Sequence, residues 1–480
     1  MFPWQQFSSD PHFMHHIALQ DSQGEVFTWA ALNQKIDQVA RLLHTQGLQA
    51  QQGIALCGKN DLSLLLVYFA ALQLGARVLP LNPAFPQEKI IQLCEEMAIH
   101  FYYSATHPLT HSTIQSLSFD LVMAAIHHEQ EMLPECPPES RKVRSIFKKF
   151  YQPATMTLTS GSNGKPKAVV HHIQAHLDNA KGVCQLMQFT PQHSWLLSLP
   201  MYHVSGQGIL WRWLLVGARL HLPRQDFYTS VCQATHVSLV PTQLQRLLQY
   251  WQDNPTCAYQ TTHILLGGAA IPTELTQRLA EKGVASYSGY GMTEMGSTVF
   301  AKCSDGRAGV GQPLLGREYQ LVDEEIWLRG AGLAMGYWQQ GQLLPLTNAQ
   351  GWLQTKDRGQ WRERELVILG RLDNMFISGG ENIQPEEIEA VISGYPAVKQ
   401  VFVLPKEDSA FGQRPVAMIA FYQPFSARLV EDLQLWLTNK LEKFKQPVQY
   451  FSLDVEKLTQ GAIKISRTTL KTELKDLLGK

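Results

Sequence analysis

Apolar residues recur at helical spacing through Ala30–Leu48 and Asp61–Leu74, and a strand-like run, Ala76–Leu81, follows directly. Helical and strand-like segments go on alternating through the middle of the chain, a pattern that predicts α/β layering with largely parallel sheets. The longest apolar stretch, Leu62–Ala76, is interrupted by Ser63 and Gln73 and falls short of the roughly 20 residues needed to span a bilayer. It reads as a buried helix. No fixed-period repeat or low-complexity run points to a solenoid.

Two stretches break the alternation. Thr106–Lys149 contains Pro, His and Ser with weak periodicity and reads as a poorly specified connection or surface insertion. Gly370–Asn374 lies between strand-like Leu366–Leu369 and the small-residue loop Ser378–Gly380, which places a boundary at Asp373 between domains 1–372 and 373–480. Beyond it, Pro385 followed by Glu386 and Glu387 is a helix start, because proline fits the first turn and carboxylates suit its positive end. Strands Val401–Leu404 and Val416–Phe421 with a helix near Leu429–Leu441 complete a small α+β domain.

Composition narrows the functional classes. With 480 residues, 45% hydrophobic and 17% charged, the chain is globular rather than disordered. Lys plus Arg equals Asp plus Glu at 41 each, and without a basic tail nucleic acid is not expected as a partner. Seven scattered cysteines without a C-x-x-C pair argue against a disulfide framework or zinc ribbon and fit a reducing compartment. Met1–His16 has neither a cationic start nor an apolar core, so a cytoplasmic location without integral membrane association is expected.

The sharpest local signal is Thr157–Lys167, where hydroxyls, glycines and two lysines stand between β-like runs. Glycines let backbone N–H groups approach an anion, hydroxyls add donors and lysines neutralise charge, so a triphosphate is the implied ligand. Only two residues separate Gly161 from Gly164, and Pro166 follows Lys165, so this is a hairpin loop and not a Walker loop. A plain Gly/Ser turn is the alternative. His172 and His176 have helical metal spacing but no Glu after His172, and neither a G-x-S-x-G elbow nor a G-x-G-x-x-G fingerprint is present.

With this loop, the motifs Tyr202–Gly206, Leu266–Ala270, Gly289–Glu294, Asp357–Gly359, Gly370–Asp373, Gly379–Glu381 and Lys464–Arg467 stand in the order and spacing of one family. The chain resembles the ANL adenylate-forming enzymes, which include acyl-CoA and aryl-CoA synthetases. The resemblance implies a large N-terminal domain of layered α/β subdomains plus a small mobile α+β domain. It also implies a two-step ligase reaction using Mg²⁺, ATP and CoA. Thr159, Ser160, Gly161, Ser162, Gly164, Lys165 and Lys167 would grip the β- and γ-phosphates, and Glu294 would hold Mg²⁺ with Thr293 on the α-phosphate. Gly267, Gly268 and Ala269 would make room for adenine, with Tyr290 stacking on it and Gly291 beside it. Asp357 would accept the ribose hydroxyls, Arg371 would assist, and Lys464 would be the mobile catalytic lysine. The pattern departs at Asn163, where Thr is common, at Lys356, where Gly is usual, and at Ala462 and Ile463, which separate Gly461 from the lysine.

In such enzymes the segment Ser198–Trp213 builds the acid pocket, and there Arg212 stands alone between two tryptophans. A buried guanidinium is costly unless paired, and its fork suits a carboxylate while the aromatic neighbours suit a benzoate ring. An aryl dicarboxylate meets both needs, with Ser205 and Gln207 as further donors and His203 orienting the carboxylate or gating the thiol path. An internal salt bridge or a guanidinium reaching solvent are the alternatives for Arg212. The expected partners are small molecules, namely this acid, ATP and CoA, with self-association into a homo-oligomer left open. Another acyl acid, a carrier-protein thiol and a catalytically silent scaffold are the competing readings.

Overall fold

The computed structural model describes residues 1–127, 149–159, 167–268, 271–458 and 465–479. The chain divides into two compact units, Met1–Glu318 with Arg329–Leu353, and Tyr319–Leu328 with Gln354–Lys480. The boundary expected at Asp373 therefore lies inside the second unit, because a four-stranded sheet ending at Arg371 groups mostly with the C-terminal part.

In the first unit the hydrophobic pattern becomes layers. The helix Trp29–Thr45 starts where Thr28 Oγ1 accepts from the Ala31 N–H, and it buries Trp29, Leu32, Ile36, Val39 and Leu43 on one face. Leu62–Leu74 is capped by Asp61, stopped by left-handed Gly75 at φ +84°, and buried continuously from Ser63 to Leu72. Among the described residues no helix is long and apolar enough to cross a membrane.

Two mixed sheets carry the unit. In the nine-stranded sheet, Ser194–Leu196, His236–Leu239, His263–Leu266 and Ala285–Met292 run parallel, and Ser297–Cys303 returns antiparallel beside the last. The eight-stranded sheet has parallel Gly53–Cys57, Arg77–Leu81 and Ile99–Tyr103, and the antiparallel pair Thr155–Thr159 and Lys167–His171. That pair forms the hairpin expected around the glycine-rich loop, with Thr159 opposite Lys167. The connection read after Thr106 contains a strand, Gln115–Leu117, and a helix, Phe119–His127. The helix buries only Val122 and Ile126, too sparse a pattern to stand out in the sequence.

The second unit is built on a long hairpin, Val398–Asp408 with Gly412–Phe421. Alternate residues separate two cores: Val403, Ala417 and Ile419 pack with Ile388, Ile392, Leu433 and Leu437, while Leu404, Val416 and Met418 pack with Ile465, Leu470 and Leu474. The helix Pro385–Ser393 begins on its proline with Glu386 and Glu387 in the first turn, as its sequence predicts.

Candidate active site

The segment expected to build the acid side forms the helix Val204–Val216, with His203 as N-cap and left-handed Gly217 as stop. Asn60 fixes the turn that feeds it: Nδ2 donates to the Leu197 and Leu199 carbonyls at 3.0 and 2.8 Å, and Oδ1 accepts from the Met201 N–H at 3.1 Å. Gly206 is required because a Cβ there would stand 2.1 Å from the Pro200 carbonyl oxygen. Ser205 is half-buried in the first turn.

Gln207 departs from its expected role as a donor to the acid. Its Nε2 donates to Thr157 Oγ1 at 3.0 Å and to the Met201 carbonyl at 3.1 Å, so both N–H groups are spent. A flipped amide would set oxygen against that carbonyl. Gln207 thus braces the helix against the phosphate-loop hairpin.

Arg212 is 1% exposed, which removes the solvent alternative. Its Nη2 donates to Ser297 Oγ at 3.2 Å and lies 3.5 Å from Thr298 Oγ1, with the Trp195 ring centroid 5.1 Å from the guanidinium carbon. Among the described residues no carboxylate pairs with it, Nε has no partner, and burial pulls its pKa down to about 10. A second buried guanidinium, Arg317, meets the strand Ser297–Cys303 at Thr298. It donates to the Asn179, Thr298 and Leu315 carbonyls at 2.6, 3.0 and 2.7 Å, and burial lowers it also to about 10.

The residues expected to hold the nucleotide lie toward the carboxyl ends of the parallel strands, where open α/β sheets bind ligands. The strand His263–Leu266 ends in Gly267 and left-handed Gly268 at φ +83°, beside the neighbouring strand that carries Tyr290 and Gly291. A Cβ at Gly291 would lie 2.0 Å from the Ser297 carbonyl oxygen, so the two strands approach more closely there than any side chain allows. The turn Thr293–Met295 then presents Thr293 and Glu294.

Glu294 Oε1 accepts from the Tyr337 hydroxyl at 3.0 Å, and Lys167 Nζ sits 3.5 Å from the Tyr337 ring centroid. Tyr337, which sequence reasoning missed, thereby joins the expected metal carboxylate to the phosphate-loop lysine opposite Thr159. Among the described residues no three His, Cys, Asp or Glu side chains converge. One carboxylate beside the lysine expected to grip the triphosphate would suit Mg²⁺, which takes few protein ligands and completes its shell with phosphate and water.

In the second unit, Asp357 and Arg371 face each other across paired strands, with Arg371 Nη1 donating to Asp357 Oδ1 at 3.1 Å. Arg371 Nε and Nη2 also donate to the two Asp373 oxygens at 2.8 and 2.9 Å, and this hydrogen-bonded guanidinium holds the Asp373 carboxyl below its ordinary range. Lys356 sits at φ +62°, which explains why glycine suits that position. Ser160, Gly161, Ser162, Gly164, Lys165, Ala269 and Lys464 lie outside the described residues. The segment after Lys464 is anchored by Arg467, whose Nη2 donates to Glu389 at 2.7 and 2.9 Å and to Glu386 at 3.2 Å.

The histidines at metal spacing do other work. His172 Nδ1 accepts from the Ala175 N–H at 2.9 Å as a helix cap, and His176 packs in the core with Nε2 2.7 Å from Thr155 Oγ1 and its ring stacked on Trp211.

Residues 8–338 match the AMP-binding enzyme family and residues 387–461 match the AMP-binding enzyme C-terminal domain. The chain belongs to the AMP-binding enzyme family. It is 57% identical over 470 residues to the 2-succinylbenzoate–CoA ligase of Haemophilus influenzae, covering 98% of each chain. To the Escherichia coli 2-succinylbenzoate–CoA ligase it is 43% identical over 471 residues, covering 98% and 97%. Escherichia coli MenE with bound OSB-AMS superposes with a TM-score of 0.84 at 41% identity over 98% of both chains. Bacillus subtilis MenE in complex with ATP and magnesium gives 0.81 at 25% identity over 98% and 99%.

Proposed function

We infer that the chain is an AMP-forming acid–thiol ligase that converts 2-succinylbenzoate, ATP and CoA to 2-succinylbenzoyl-CoA, AMP and diphosphate for menaquinone biosynthesis. Full-length identity to curated ligases supports the reaction. The observation that carries the choice of acid is Arg212, a dry cation without a carboxylate partner among the described residues of the acid-side helix. The ring carboxylate of 2-succinylbenzoate completes that pair, leaving the succinyl carboxylate to react.

The succinyl carboxylate attacks the α-phosphorus and expels diphosphate, and the CoA thiolate then attacks the acyl carbonyl and releases AMP. Lys167 with the glycine-rich loop grips the triphosphate, and Thr293 contacts the α-phosphate. Magnesium bound at Glu294 supplies charge neutralisation on the phosphates. Tyr290 stacks on adenine, Asp357 takes the ribose hydroxyls, and Lys464 stabilises the charge that develops during adenylation. His203 orients the carboxylate at the helix entrance. The segment from Asp373 onward pivots between the half-reactions, with Arg371 bridging Asp357 and Asp373 as a restraint on the pivot. A cytoplasmic location fits the two soluble co-substrates.

The test is diphosphate release with Mg-ATP and 2-succinylbenzoate, with and without CoA, against benzoate and a fatty acid as competing substrates. CoA-dependent turnover selective for the dicarboxylate is expected. Selective turnover of another acid would refute the assignment of the pocket, and the absence of turnover with every acid would refute the reaction.

A further inference from the structure

Ser297 has a backbone that its side chain should avoid. Its φ is +133°, whereas the other described non-glycine residues with positive φ lie between +45° and +71°, within or near the ordinary left-handed well. Values like that of Ser297 belong otherwise to glycines such as Gly309 at +132° and Gly370 at +136°. The region is essentially reserved for glycine, and a residue with a Cβ persists there only when its surroundings hold it.

The surroundings explain the conformation but not the side chain. Ser297 follows left-handed Gly296 at the turn end of the hairpin between Ala285–Met292 and Ser297–Cys303, where it pairs with Met292 beside a register slip at Tyr290 and Gly291, and its carbonyl takes the space a Cβ on Gly291 would need. Glycine would satisfy all of this. What serine adds is a hydroxyl, 8% exposed as a residue, that accepts from Arg212 Nη2 at 3.2 Å. The opposite side is cleared for the same contact, because a Cβ on Gly208 would stand 3.1 Å from Arg212 Nη2 and 3.3 Å from Ser297 Oγ.

We propose that Ser297 is a specificity-determining positioning residue, whose strained backbone holds a hydroxyl against Arg212 so that the guanidinium fork faces the retained ring carboxylate of the acid. The proposal rests on the ligase reading above. A structural hydroxyl would serve any acid equally, whereas an aiming hydroxyl matters only to an acid with a second carboxylate.

The experiment compares wild type with Ser297→Ala, which keeps the strain, and Ser297→Gly, which relieves it. The substrates are 2-succinylbenzoate and its analogue without the ring carboxylate, 4-oxo-4-phenylbutanoate. Wild-type turnover of the dicarboxylate judges the ligase reading separately from the variants. Both variants are expected to raise KM for 2-succinylbenzoate about tenfold, the effect of one lost hydrogen bond to a charged group. KM for ATP, kcat, and kcat/KM for the analogue are expected to stay within about twofold of wild type. Both variants lose the hydrogen bond to Arg212, so Ser297→Gly is expected to unfold about 2 °C above Ser297→Ala as strain is released. An unchanged KM for the dicarboxylate, or an equal loss for both acids, would overturn the proposal. A glycine variant no more stable than the alanine variant would overturn the strain argument, and if the alanine variant does not fold, the glycine variant still decides the KM comparison.

Discussion

Replacing Arg212 by methionine should make the protein more stable and a worse enzyme. Burial that lowers the guanidinium pKa to about 10 corresponds to roughly 3 kcal/mol against the charged form in the folded state. Methionine fills much of the same volume without that cost. The substitution also removes the donor to Ser297 Oγ, a loss of about 1–2 kcal/mol, so a net gain of about 1–2 kcal/mol is expected. With substrate bound the sign reverses, because the ring carboxylate is then buried without its partner. Truncating one side of a buried charge pair costs about 2–4 kcal/mol, a roughly 30- to 1000-fold rise in KM for 2-succinylbenzoate. The assay is diphosphate release at saturating ATP and CoA with the acid varied, alongside thermal unfolding of the unliganded proteins. Equal losses for acid and ATP, or a less stable variant with wild-type KM for the acid, would refute the reasoning.

Three further outcomes follow from the geometry. Gly206→Ala forces a Cβ to within 2.1 Å of a backbone oxygen that Asn60 helps to fix, so a loss of about 3 kcal/mol or more is expected and a wild-type unfolding midpoint would contradict it. Tyr337→Phe removes the hydrogen bond to Glu294 and should raise the magnesium concentration for half-maximal activity about tenfold, with an unchanged magnesium titration as the contrary result. His171 and His236, both lowered to about 3 by burial, stay neutral in the folded protein while the unfolded chain protonates below about pH 6.5. Their stabilising contribution is therefore full above that pH and falls as the pH drops toward 3, by roughly 2 kcal/mol for each histidine at pH 5. Urea unfolding midpoints that match at pH 7 and pH 5 would count against this.

The fold was legible where burial is periodic and local. The helix Trp29–Thr45 announces itself by its apolar spacing and Leu62–Leu74 by its apolar run, and Pro385 marks a helix start in both sequence and structure. The hairpin around the phosphate loop was legible from Pro166 and the flanking β-like runs. Legibility failed at Phe119–His127, which hides only two side chains, and over Gln207, whose donors are committed to Thr157, fifty residues away in the chain. Asn60 and Tyr337 were invisible for the same reason. Each works through a partner far along the sequence, 137 and 43 positions from Leu197 and Glu294, and a single polar residue carries no trace of such pairing.

Arg212 was readable because it broke a local rule, and under the proposed assignment that break would also account for selectivity. With Arg212 held dry among an indole ring and two hydroxyls, the fold has already met the desolvation cost of the cation before the proposed acid arrives. An acid with a second carboxylate recovers the Coulomb energy without repeating that cost on the protein side, whereas a monocarboxylic analogue leaves the guanidinium dry and unpaired. Sites built around a buried polar group discriminate against analogues that lack its partner far more strongly than an apolar pocket discriminates by shape. On the proposed assignment the burial of Arg212 is a cost to the fold that would become selectivity only in the complex, so stability and acid specificity should move in opposite directions at this position.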